Sequence, residues 1–205
     1  WGNWVGSSSL IEGQEQYPVA WNLSSDFNTW GDRVEYAYEV TEQCVGSETG
    51  KSYTKACYLS SITDVFKRTV SFYYTEKEIN EFMDPYKAVP NNDPNAYQSR
   101  YETKYLDRVE VKSADDKLLY AFQFFSDVKN VTGRSEEDPL YLETSKRFLT
   151  EIIQENGFGE SLPGVKFDYY FESTDPNPGA LKSITNPQGG ISLYTYRQEE
   201  LPLCQ

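Results

Sequence analysis

One hairpin-sized unit recurs along this chain, and no other feature narrows the folds open to it so far. A unit starts with an aromatic or small residue, then Leu, then two polar residues, then Ile or Val. After a turn comes an alternating strand with Tyr or Phe at every second position. One copy is Tyr58-Leu59-Ser60-Ser61-Ile62 with Val70-Ser71-Phe72-Tyr73-Tyr74; a second is Tyr105-Leu106-Asp107-Arg108-Val109 with Leu118-Leu119-Tyr120-Ala121-Phe122. A third is Phe148-Leu149-Thr150-Glu151-Ile152 with the strand 165–171, and a fourth is Ala180-Leu181-Lys182-Ser183-Ile184 with the strand 191–196. A degenerate copy precedes them, Trp21-Asn22-Leu23 with Val34-Glu35-Tyr36-Ala37-Tyr38, in which Asp26 stands where Ile is expected. The leucines 23, 59, 106, 149 and 181 are unevenly spaced, as when surface loops of different length join a fixed scaffold.

Alternation at period two sends one side-chain set to each face of a sheet. Between the strands lie Asn28-Thr29-Trp30-Gly31-Asp32, Ala114-Asp115-Asp116-Lys117 and Asn186-Pro187-Gln188-Gly189-Gly190, which carry hairpin-turn chemistry. With aromatics at 16% and 17 Tyr among them, the composition suits half-buried pleated surfaces. A lone hairpin is marginal in water, so each must lean on its neighbours. The fold expected is all-β, with repeated antiparallel hairpins forming part of a large curved sheet and one or two short helical turns, at Glu76–Met83 and near Asp138–Lys146. Residues 1–205 read as a single segment with no internal boundary. The absence of a leader-like start at Trp1-Gly2-Asn3-Trp4 and the abrupt stop after Leu203-Cys204-Gln205 suggest a piece of a larger protein.

The net charge of −13 repels phosphate backbones and anionic lipid, which argues against nucleic acid as a partner. No apolar run is long enough to span a bilayer as a helix. Cys44 and Cys57 flank a polar, Gly-containing insert, and a disulfide at the base of that hairpin would stabilise by roughly 3 kcal/mol in the chain-entropy picture. Cys204 is left over. Sequons at Asn22-Leu23-Ser24 and Asn130-Val131-Thr132 mark Asn22 and Asn130 as glycosylation candidates. Disulfide and sequons together point to a secreted, extracellular or cell-surface setting.

Catalytic chemistry finds little footing. There is no histidine, which removes Ser-His-Asp and Cys-His arrangements and leaves three cysteines alone as poor zinc ligands. The 32 acids offer many carboxylate pairs, but no spacing singles out two of them. Asp84, Asp93, Asp115 and Asp116 are oxygen ligands suited to calcium, without EF-hand spacing, and read more simply as polar turn residues. Trp1, Trp4, Trp21 and Trp30 are candidates for a sugar-stacking surface, though packing within the sheet is the simpler expectation. No catalytic residue, cofactor or metal site is assigned.

The stretches 147–170 and 177–196, the latter with Gly189-Gly190 ahead of Ile191-Ser192-Leu193-Tyr194-Thr195-Tyr196, resemble Rhs/YD-repeat and Tc-toxin B-subunit sequences. The likeness extends more loosely over residues 17–196. It implies a long sheet wound into a hollow shell, which encloses a cytotoxic cargo in toxin members. In relatives such as teneurins and some large insect salivary proteins it serves at surfaces or in secretions. The Tyr-x-Tyr pairs here are not followed by Asp, and the self-cleaving aspartate site of many such shells is not recognisable. The expected role is a non-catalytic shell module of a large secreted protein, with other segments of that protein or its cleaved fragments as partners. The competing expectation is a surface or salivary glycoprotein segment that recognises a protein or glycan.

Overall fold

The computed structural model describes residues 22–44, 52–78, 81, 102–130, 145–171 and 177–197. Ten strands lie in one antiparallel meander whose hydrogen-bonded order follows the chain. They are β1 (Ser25–Phe27), β2 (Arg33–Cys44), β3 (Ser52–Thr63), β4 (Thr69–Glu76), β5 (Lys104–Lys112), β6 (Leu118–Asn130), β7 (Ser145–Asn156), β8 (Val165–Tyr169), β9 (Leu181–Thr185) and β10 (Ile191–Leu193). The sheet does not close on itself. No helix occurs among the described residues, and Glu76, expected to open a helical turn, ends β4. Most of Glu76–Met83 and of Asp138–Lys146 lies outside the described residues.

Each sequence unit is one hairpin: β1–β2, β3–β4, β5–β6, β7–β8 and β9–β10. Their five turns, Asn28–Asp32, Asp64–Arg68, Ser113–Lys117, Asn156–Glu160 and Asn186–Gly190, share one construction. In each, the first residue's N–H donates to the carbonyl of the fifth, and its carbonyl accepts the N–H of the fourth. The fourth residue is left-handed: Gly31 (φ 88°), Lys67 (62°), Asp116 (60°), Gly159 (80°) and Gly189 (86°). This is a three-residue loop built on a type I turn followed by a G1 bulge. In four of the turns the first side chain, Asn28, Asp64, Asn156 or Asn186, accepts the N–H groups of the third and fifth residues through Oδ1. In the remaining turn Ser113 Oγ accepts from Lys117 N. Asn, Asp and Ser are the side chains short enough to fold back on their own turn in this way.

Two compact units emerge. The first comprises residues 1–123 with 155–160, the second 124–154 with 161–205. Within the first, register sorts the two sheet faces. Tyr36, Ile62, Val70, Val111 and Tyr120 stand opposite one another across five strands. The next row, on the other face, is Ala37, Ser61, Ser71, Glu110 and Ala121; then Phe72, Val109 and Phe122 return to the apolar side. Even so, only Ala56, Tyr58, Ala121 and Phe148 are buried hydrophobics among the described residues.

A second repeated device fixes the hairpins. Tyr38 Oη donates to the Leu23 carbonyl at 2.8 Å and Tyr74 Oη to that of Leu59 at 2.9 Å. In the second unit Tyr169 Oη donates to the Leu149 carbonyl at 2.8 Å. In the β5–β6 hairpin Gln123 takes the role, with Nε2 donating to the Asp107 carbonyl at 3.0 Å. The aromatic residue ahead of the leucine packs on the clamping ring, Tyr58 on Tyr74 with centroids 5.0 Å apart and Phe148 on Tyr169 at 4.9 Å. At Leu23, Leu59 and Leu149 the repeated Leu therefore marks a backbone carbonyl to which the repeated Tyr donates.

Candidate functional site

The expected Cys44–Cys57 disulfide is not made. Cys57 carries a free thiol. The β2–β3 ladder sets Cys57 opposite Val40 and Cys44 opposite Ser52. That separates the two cysteines by roughly 13 Å along the strand, well beyond the ~7 Å between Cα atoms that a bridge tolerates. β2 ends at Cys44, but β3 begins at Ser52 and runs on through Cys57, and this could not be read from spacing alone. Burial pushes the Cys57 thiol above its ordinary pKa, and its sulfur accepts a bond from Asn22 Nδ2 at 3.3 Å. Asn22 Nδ2 is the atom a glycan would occupy, so a glycan there would replace this contact. Asn130 closes β6; the remainder of its sequon, and Cys204, lie outside the described residues.

Several carboxylates of the first unit pair with neighbouring cations. Glu110 accepts from Arg108 at 2.9 Å and from Tyr73 Oη at 2.9 Å, with Lys112 Nζ 3.4 Å away. Burial alone would raise its pKa, but these three partners outweigh burial and hold the carboxyl below the usual range. Arg108 also reaches Glu155 at 2.8 Å, joining the last strand segment of the first unit to β5. Lys104 bridges Glu39 and Glu76 and lies over the Tyr58 ring. Tyr58 Oη in turn accepts the backbone N–H groups of Thr103 and Lys104. These networks hold strands together and commit Glu39, Glu76, Glu110 and Glu155 to cations.

Asp115 and Asp116 sit in a turn. Asp115 is held by Ser113 Oγ at 2.6 Å and Lys117 Nζ at 2.9 Å, and Asp116 faces Lys112. No group of three metal-ligating side chains occurs among the described residues, and Asp84 and Asp93 lie outside them. Among those residues, no helix is long and apolar enough to cross a membrane.

Trp30 overturns the expectation of sheet packing. It is 89% exposed, at the tip of the β1–β2 turn. Phe66, 69% exposed, and Phe158, 93% exposed, hold the same third position in their own turns. Trp1, Trp4 and Trp21 lie outside the described residues. No protein-family model matches the sequence, and no curated protein matches it.

Proposed function

We propose that this chain is a wall-forming, non-catalytic module of a large secreted protein of the Rhs/Tc-toxin type, enclosing or scaffolding other parts of that protein. The observation that carries this reading is an open meander of like hairpins, with an apolar row on one face and so few buried side chains. A sheet with one apolar face ordinarily buries it against a second layer. Stacked repeats spread the task along the array, each unit stabilising the next. The two outermost strands support the same reading: Phe27 on β1 is 71% exposed, and Ile191 and Leu193 on β10 are 63% and 75% exposed. Among the described residues no strand pairs with the outer side of β1 or β10, and apolar edges of this kind are templates for further strands. Carboxylates committed to structural ion pairs, and a sequence with no histidine, favour a wall over a catalyst.

Hydrogen exchange tests the proposal. In the chain 1–205 the amides of β1 and β10 should exchange fastest. In the same chain carrying its natural flanking sequence they should become protected by added strands. Unchanged exchange at both edges in the longer polypeptide would sink the shell reading.

A further inference from the structure

In an antiparallel meander every second connection falls at the same end of the strands. The four turns of the first unit therefore share one edge, and three of them carry an aromatic at the same position. We propose that Trp30, Phe66 and Phe158 form an edge that inserts shallowly into a zwitterionic lipid surface, the boundary between phosphocholine headgroups and acyl chains. This inference stands apart from the shell reading, since it needs only the first unit and its turns.

Three observations select lipid as the occupant. The tips are spread out along the edge. Successive hairpins lie two strands apart, so Trp30 and Phe66 stand about 10 Å apart and Phe66 and Phe158 about 20 Å. That spacing suits a plane better than a small ligand. Next, the turns bring their own hydrogen bonds. Asn28, Asp64 and Asn156 accept the N–H groups of Trp30, Phe66 and Phe158 themselves, so the aromatic residues enter a drier layer with those groups already paired. Finally, in a chain of net charge −13 the acids of these turns are held by neighbours: Asn28 Nδ2 donates to Asp32 at 2.9 Å and Asn156 Nδ2 to Glu160 at 2.7 Å. Asp64 pairs with Arg68, Asp115 with Lys117 and Asp116 with Lys112. Lys67 and Arg68 follow Phe66, and the Arg68 guanidinium, paired with Asp64, lies 5.5 Å from the Phe66 ring centre. Trp and other amphipathic aromatics favour the headgroup level, while the acidity of the whole chain opposes anionic bilayers. Three partly inserted rings bind weakly, no tighter than the ~10⁴ M⁻¹ of a single myristoyl chain, so several such edges in a longer array would be needed for stable attachment.

The test is co-sedimentation of the chain 1–205 with pure phosphatidylcholine vesicles. Wild type should partition at millimolar lipid, and less well when phosphatidylserine is added. The triple variant Trp30→Ala, Phe66→Ala, Phe158→Ala should lose partitioning by about tenfold or more while keeping its far-ultraviolet spectrum and unfolding midpoint, since the rings are exposed. Asp115→Trp, which places an aromatic at the matching position of the third turn, should raise partitioning several-fold. The proposal is overturned if wild type does not partition or if the triple variant partitions equally. It is also overturned if the aromatics instead drive vesicle-free self-association, which would make a second copy the occupant.

Discussion

Replacing Tyr74 by Phe removes one hydroxyl and leaves the ring on Tyr58 intact, so it isolates the carbonyl clamp from aromatic packing. The lost bond, 2.9 Å long and part-buried, should cost about 1 kcal/mol, the usual net value of a neutral hydrogen bond. Because the chain forms two compact units, a single global unfolding free energy is a poor gauge, and local opening is the better one. Hydrogen exchange of peptides covering β3 and β4 should accelerate by a factor of about 5. Tyr73→Phe is the control. Its hydroxyl lies on the exposed side of the sheet and bonds Glu110, which keeps Arg108 and Lys112 as partners, so its loss should change exchange by less than Tyr74→Phe does.

The same clamp has a pH signature. Burial raises the pKa of Tyr38, Tyr74 and Tyr169 above the ordinary phenol value. A raised folded pKa means the folded state holds its proton more tightly than the unfolded one. That stabilisation is complete below about pH 10 and is lost as pH rises through the folded value. Wild type should therefore loosen above pH 10, and Tyr74→Phe should loosen less steeply there from its lower starting point. If Tyr74→Phe matches wild type at neutral pH, or if Tyr73→Phe costs as much as Tyr74→Phe, the clamp is not what fixes the hairpin.

Lys67→Gly should stabilise the β3–β4 hairpin by about 0.5–1 kcal/mol as read by local hydrogen exchange, because the left-handed backbone at φ 62° burdens Lys more than the unfolded-state entropy burdens Gly. Gly157→Ala should destabilise measurably in the same assay, since the added methyl would sit 2.2 Å from the Leu118 carbonyl oxygen. Iodoacetamide added to unreduced chain in denaturant should alkylate Cys57; protection until a reductant is supplied would show a bridge after all. Arg108→Met should raise the Glu110 pKa seen by carbon NMR. The stability that wild type loses as pH falls through the depressed Glu110 value, below about pH 4.3, should then be lost at higher pH in the variant.

The unit was legible in the sequence because it is set by local chemistry. The alternation of Val70-Ser71-Phe72-Tyr73-Tyr74 and the turn at Asn28–Asp32 each need only neighbours in the chain. The Asp64–Arg68 turn was harder to see, because Lys67 takes the left-handed position that Gly fills in three of the other four. The aromatic tips were also missed as a set. Trp30, Phe66 and Phe158 look like ordinary strand-flanking hydrophobics until turn register shows them at one position. The sequence suggests a disulfide at Cys44 and Cys57 because the polar insert hides where β3 begins: Cys44 ends β2, but Cys57 lies inside β3, opposite Val40.

The two ends of the strands answer to different constraints, and this explains why the leucines are unevenly spaced. At one end all five connections within hairpins are the same bulged loop. There the side chain at the first position and the left-handed residue at the fourth fix register residue by residue, so an insertion would break the turn's own hydrogen bonds and release the register that keeps each side chain on its face. At the other end the connections between hairpins run from Cys44 to Ser52, Glu76 to Lys104, Asn130 to Ser145 and Tyr169 to Leu181, and their lengths differ widely. Lengthening a loop costs little entropy per added residue, so these connections tolerate variation that the bulged turns do not. An insertion of four residues after Gly46 should therefore leave exchange of β3 and β4 unchanged. The same insertion after Phe66 should unlock that hairpin. Equal tolerance at both ends would mean that register is set by the sheet faces and not by the turns.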